Sequence, residues 1–259
     1  MLKITKRSTS FYFYLFIICS ELVASNGKFT VKIVYDYCEK KLFFQSTKGE
    51  NVFIGTHTIM SETSKEYTSK IIANKSSVGV DFKLNDKIFY TLEAGIVSNQ
   101  SAKFEGNSDS KFESLDYGWL VAFNTNFEVF PETVVNPGIF FTTGFDVETY
   151  KFNILNTTTF SRYLTNIEFN VVDVYGGLNM RKRLFNIFSG DITFSMKYRL
   201  SSMKDWIGLY SISGEGYTMN VSFSGNIRLG SNESIGLKML ISPFDNAQLE
   251  TSCSYNIIF

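Results

Sequence analysis

The stretch YTMNVSFSGNIRL, residues 217–229, alternates with few errors. Tyr217, Met219, Val221, Phe223, Ile227 and Leu229 fall on one side of an extended chain. Thr218, Asn220, Ser222, Ser224, Asn226 and Arg228 fall on the other. Strand side chains alternate between faces, so this period builds one greasy and one polar face only in a strand. The pattern recurs. KFTVKIVYDYC sets Phe29, Val31, Ile33, Tyr35 and Tyr37 against Lys28, Thr30, Lys32 and Asp36, and SVGVDFKL does the same with Val78, Val80 and Phe82. IFYTLEAGIVS, GWLVAFNTNFEVF, GIFFTTGFDVETY, DITFSMKYRL, SIGLKMLIS and ETSCSYNIIF also alternate. Only IEFNVVDVYGGLNM slips phase, at Val171-Val172, which reads as a bulge or a misplaced boundary. No run after residue 26 reaches the about 20 apolar residues of a spanning helix. The chain is therefore all-β.

Counted from residue 27, the segments predict about ten strands, with eight or twelve as the alternatives. Connections after even-numbered strands are short: Asn85-Asp86, PETVVNP, a stretch around 183–190, and SNES. Most of those after odd-numbered strands are longer and polar, over roughly 39–75, 100–116, 151–165 and 201–213, with the last, near PFDN, short. Pro131, Pro137 and Pro243 all fall in connections, where a missing N–H costs no ladder bond.

The first 25 residues carry an address. Lys3, Lys6 and Arg7 precede an apolar run from Phe11 to Cys19, and small residues follow. This is the plan of a secretory signal peptide, with Val23 and Ser25 at the −3 and −1 positions of a cleavage after Ser25. A lipoprotein reading would start the mature chain at Cys19, but Ile18 stands where a small residue is expected. Residues 1–25 are thus expected to be removed and 26–259 to form one domain. In the mature chain Cys38 lies on a polar face and Cys253 on an apolar one, a poor geometry for a bridge. Two free thiols are expected.

Alternation alone leaves open which solvent the greasy face meets. A soluble sandwich or small barrel points it inward, and a transmembrane barrel points it at lipid. Aromatic residues make up 16% of the chain, with 26 Phe and 14 Tyr, more bulk than a soluble core of this size accommodates. Connections alternate short and long, and an even strand count leaves both termini on one side. The chain also ends within a strand, on Phe259. In its last eight residues, SCSYNIIF, it resembles the Gram-negative outer-membrane β-barrels. The resemblance rests on polar Ser252, on Tyr255 and Ile257, and on the terminal Phe259; Ser254 stands where glycine is usual and Ile257 where an aromatic is common. It implies a transmembrane antiparallel up-and-down β-barrel in the bacterial outer membrane. Tyr255, Ile257 and Phe259 would then form the signal read by the barrel-assembly machinery, after delivery by periplasmic chaperones. A soluble secreted β-barrel is the competing architecture.

On the barrel reading the lumen holds Lys32, Asp36, Asp81, Lys83, Glu93, Glu128, Asp146, Glu148, Lys197, Arg199, Arg228, Lys238 and Glu250. The signs nearly balance, and a narrow barrel brings them into contact. That favours a salt-bridged plug over an ion-selective pore, whose rings carry one sign. The single histidine, His57, has no acid beside it in FIGTHTIM, so a rim-sited protease or lipid-modifying enzyme lacks its base. Asp146 and Glu148 share a face and are expected to pair with lumenal Lys and Arg. No Cys/His cluster suggests a metal, and Gly176-Gly177 has no phosphate loop around it, so no cofactor is expected. Lys+Arg and Asp+Glu both number 25, which speaks against a nucleic-acid partner. The expected role is a non-enzymatic surface protein whose long loops, 39–75 first among them, meet an extracellular partner. A narrow pore for small solutes is the alternative.

Overall fold

The computed structural model describes residues 29–46, 51–54, 57–60, 65–105, 111–114, 116–158, 161–185, 187–205, 211–242 and 248–259. Ten long strands make a ring: β1 (Phe29–Ser46), β2 (Lys65–Asn85), β3 (Ile88–Glu105), β4 (Gly118–Phe130), β5 (Gly138–Thr158), β6 (Ser161–Leu184), β7 (Phe188–Asp205), β8 (Ser211–Arg228), β9 (Glu233–Ser242) and β10 (Gln248–Ile258). Each is antiparallel to its sequence neighbour, and β10 closes on β1 from Thr30↔Ile258 to Glu39↔Leu249. In the section that carries the outward apolar wall, each described strand is thereby paired on both sides, which a backbone in hydrocarbon requires. Asn51–Ile54 and His57–Met60 form a small separate hairpin, and Lys111–Ser114 pairs with the end of β3.

The greasy face points outward. Ile33, Tyr35, Phe145, Leu178, Phe194, Met196, Met219, Phe223 and Leu237 are all exposed. So continuous an apolar wall is untenable in water and is what lipid demands. Rings run across neighbouring strands: Phe82, Tyr90, Phe123 and Phe145 lie 5.2, 5.7 and 5.9 Å apart in succession. Toward the end away from the termini the exposed aromatics become Tyr35, Tyr117, Trp119 and Tyr217, whose polar tips suit a lipid–water boundary.

Beyond that boundary the barrel reverses its polarity. On β6, Val174 and Leu178 face out and Asp173 faces in, while Val171, Phe169 and Ile167 face in and Glu168 and Asn170 face out. The same exchange runs from Tyr35 to Cys38 and Leu42 on β1, from Val78 to Ala73 and Ile71 on β2, and from Phe145 to Tyr150 and Phe152 on β5. The lower section is a membrane barrel; the upper one has the apolar interior of a soluble barrel. The slip at Val171-Val172 is therefore no bulge. β6 runs 24 residues in unbroken register with both neighbours, and the register shifts fall instead at Ile72/Asn74, Lys83/Asn85 and Glu128/Phe130.

This reversal also corrects the expected loops. Residues 39–46 continue β1 and 65–75 belong to β2; 151–158 and 161–165 join β5 and β6 almost directly; 201–205 and 211–213 belong to β7 and β8. The connections at the other end are as short as the sequence suggests. In the first, Lys83 Nζ donates to Asp86 at 2.7 Å and holds that carboxyl below its ordinary range. The upper section is also narrower. β9 and β10 span only 10 and 11 residues, against 18 for β1 and for β8. Above their ends β1 meets β8 directly, with Gln45 opposite Ser213.

Candidate functional site

Midway along the lumen, charged side chains from six strands converge: Lys40 (β1), Lys75 (β2), Asp146 and Glu148 (β5), Asp173 (β6), Lys197 and Arg199 (β7) and Glu250 (β10). Glu148 lies between two ammonium groups, 2.6 Å from Lys40 and 2.7 Å from Lys75. Asp173 accepts a bidentate pair from Arg199, Nε at 2.6 Å and Nη2 at 2.9 Å, with Lys197 at 3.2 Å. Lys40 bridges the two clusters, 3.6 Å from Asp173, and Lys75 and Lys197 reach outlying Glu250 and Asp146 at 3.7 and 3.6 Å. The Tyr150 hydroxyl donates to Glu148, and the Cys38 thiol lies 4.0 Å from that hydroxyl, placed to donate to it. Here acids and bases alternate in space, the arrangement under which buried charges are tolerable.

Arg199 has a second task. Its Nη1 donates to the Lys41 carbonyl at 2.9 Å, two residues beyond the last residue of β1 that pairs with β10. On β8, Arg199 is opposite Gly216. A guanidinium with planar, multiple donors can serve a carboxylate and a backbone carbonyl together, and an ammonium cannot in the same geometry. Arg199 thus ties the ion network to the level at which the barrel narrows.

Above the network the described lumenal side chains are mainly apolar, with Ser69 and Ser201 among them. Leu42, Ile71, Val97, Ala102, Phe152, Phe169 and Met203 are buried, and the Phe152 and Phe169 rings meet edge to face at 5.4 Å. These side chains exclude water from the pairs below, which strengthens the electrostatics and raises the cost of losing any partner. Below the network the lumen holds smaller pairs: Lys32–Asp81 at 2.5 Å, Arg181–Asp191 at 2.6 Å, and Asn179 donating to Thr193 at 2.7 Å. Asn220 accepts from Ser242 Oγ at 2.6 Å and Asn256 donates to Ser234 Oγ at 3.2 Å.

Of the lumenal residues expected from sequence, Lys32, Asp36, Asp81, Glu93, Asp146, Glu148, Lys197, Arg199 and Glu250 face inward, and Lys238 occupies an inward register position opposite Ser224 and Ser252. Lys83 and Arg228 do not line the lumen. Each sits at the rim, Lys83 on Asp86 and Arg228 on the carbonyls of Gly230 and Ser231, because their strands end there. The network's Lys40, Lys75 and Asp173 escaped the sequence reading. The lysines lay in a presumed loop and Asp173 in the segment of broken phase; a shift of phase shared by several strands is the signal that finds them.

Cys38 is buried and Cys253 is exposed on the outward face, both as free thiols. Tyr255 and Ile257 face outward, and the Phe259 N–H donates to the Phe29 carbonyl at 2.9 Å while the two rings stack at 5.1 Å. The side chain of His57, the cleavage position Ser25 and the whole of 1–25 lie outside the described residues. Among the described residues no group of three or more His, Cys, Asp or Glu is placed to hold a metal ion.

No family model and no curated protein matches the sequence. Solved structures do match the fold. The chain is similar to the outer membrane protease OmpT from Escherichia coli, with a TM-score of 0.54 at 10% identity, covering 91% of this chain and 98% of that one. It also aligns with the translocator domain of the autotransporter NalP from Neisseria meningitidis (TM-score 0.44, 9% identity, 97% and 95% covered). A third alignment is with Ail, the attachment invasion locus protein of Yersinia pestis (TM-score 0.34, 11% identity, 90% and 99% covered). At such identities the likeness is one of fold.

Proposed function

We propose that this chain, a β-barrel of the Gram-negative outer-membrane type, is a non-conducting surface protein with a structural or adhesive role and no enzymatic one. One observation carries the reading: the lumen is filled at mid-height by paired charges and above them by apolar side chains. Ions crossing it would have to displace Arg199 and Lys40 from Asp173 and then dehydrate between Phe152 and Phe169. The part offered to a partner is the outer wall of the upper section, with Lys70 paired to Glu39 at 2.5 Å and Asn170 bonded to Glu168 and Thr149. Tyr255, Ile257 and Phe259 remain the proposed assembly signal, with the assembly machinery and periplasmic chaperones as its readers. Reconstitution in planar bilayers tests the proposal. Purified protein should give no reproducible unitary current, whereas steady openings of uniform size would establish the narrow-pore alternative.

A further inference from the structure

The short-turn end of the barrel is lopsided. Between β2 and β3 the turn is polar, Asn85-Asp86-Lys87. The turns 131–137 and 185–187, which sit side by side between β4–β5 and β6–β7, are capped by apolar side chains. Val134 is 97% exposed, Val135 83%, Phe185 88% and Ile187 62%. They are not loose. Lys182 Nζ donates to the carbonyls of Thr133 and Val134, both at 2.8 Å, and Glu132 accepts the Arg183 N–H at 2.6 Å, so each turn is strapped to the other. Phe185 is held at φ 60°, a conformation a bulky residue rarely adopts, and so its ring stays at the tip.

We infer that these two turns form an apolar wedge that enters the hydrocarbon of the lipid leaflet at the short-turn end. Continuity with the lipid-facing wall names the occupant. Leu184 and Phe188, both exposed, pair directly above Phe185; Lys182 and Gly190 follow on the same face, and Met180 and Ile192 after them. Along β7 and β8 the wall reaches the wedge through Ile192 and Phe223, then Gly190 and Gly225, then Phe188 and Ile227, and the one lysine in this row, Lys182, turns its ammonium onto the carbonyls of Thr133 and Val134. The wedge's aromatic is Phe, without the polar tip that holds Tyr or Trp at an interface. On β6 and β7 the outward face runs from Val174 and Leu200 down to Leu184 and Phe188 and is apolar apart from Lys182. With the wedge seated in it, the leaflet is drawn toward these turns by local tilt or thinning.

The test places a reporter at the tip. Full-length protein carrying Trp119→Phe, Trp206→Phe and Val134→Trp is refolded into protein-free phospholipid vesicles. Fluorescence is quenched either by lipids brominated on their acyl chains or by aqueous acrylamide. The expected result is a blue-shifted emission quenched several-fold more by brominated chains than in the Asp86→Trp counterpart, with little effect of acrylamide. A red-shifted emission open to acrylamide and indifferent to brominated lipid would reject the wedge and leave a periplasmic protein as the partner of this patch. If the Val134→Trp variant fails to fold, a Cys253→Ser, Val135→Cys protein with a polarity-sensitive dye reads the same contrast.

Discussion

Asp173 is the residue on which most of the lumen depends, since Arg199, Lys197 and Lys40 all address it. Removing one partner of a buried pair leaves the other charge uncompensated, at about 3–5 kcal/mol. Arg199→Ala should therefore lower the urea midpoint of vesicle-reconstituted protein sharply. Arg199→Lys should rescue only part of it, because the bidentate pair to Asp173 and the Nη1 bond to the Lys41 carbonyl cannot both be kept by an ammonium; full rescue would show that charge alone matters. Tyr150→Phe takes one hydrogen bond from Glu148 and should cost about 1–3 kcal/mol, far more than a surface change. Little of this was legible in the sequence. Alternation placed Glu148, Lys197 and Arg199 on the inner face, but pairing across the lumen depends on which heights coincide, and nothing local encodes that. Lys40 and Asp173 were hidden for a simpler reason: the alternation around them changes phase.

That change of phase belongs to the element. β6 carries two amphipathic patterns in series, apolar-out below and apolar-in above, and a single-period reading has to break it between Val171 and Val172. The strands were legible where they cross lipid, because there the apolar side chains alternate with polar ones over many residues. Their upper halves read as loops, because there polar residues occupy the outward positions. Substitutions on adjacent positions of β6 should separate the two faces. Phe169→Ala, inward and packed on Phe152, should cost about 3–5 kcal/mol. Glu168→Ala, outward and bonded to Asn170, should cost no more than about 1 kcal/mol. Equal effects in the unfolding titration would put the reversal in doubt. On β10, removal of Phe259 takes away the ring stacked on Phe29 and a bond across the seam with β1, and should slow membrane assembly in cells. Normal insertion of the truncated chain would count against its part in an assembly signal.

For the whole molecule, ten strands closed into a ring, with lipid outside one section and water outside the other, account for both the aromatic excess and the near-zero mean hydropathy of −0.01. The outer wall of the lower section is greasy and its lumen charged, and the upper section exchanges the two, so the average is neutral. The most direct test is a spin-label scan of outward positions along β6 in reconstituted bilayers, with labels at residues 178, 174, 170 and 168. Relaxation by oxygen, which concentrates in lipid, should dominate at 178 and 174. Relaxation by a water-soluble nickel chelate should dominate at 168, with the crossover near 170. Nickel access at every position would mean that the barrel does not sit in a membrane, and oxygen dominance through residue 168 would mean that its polarity does not reverse.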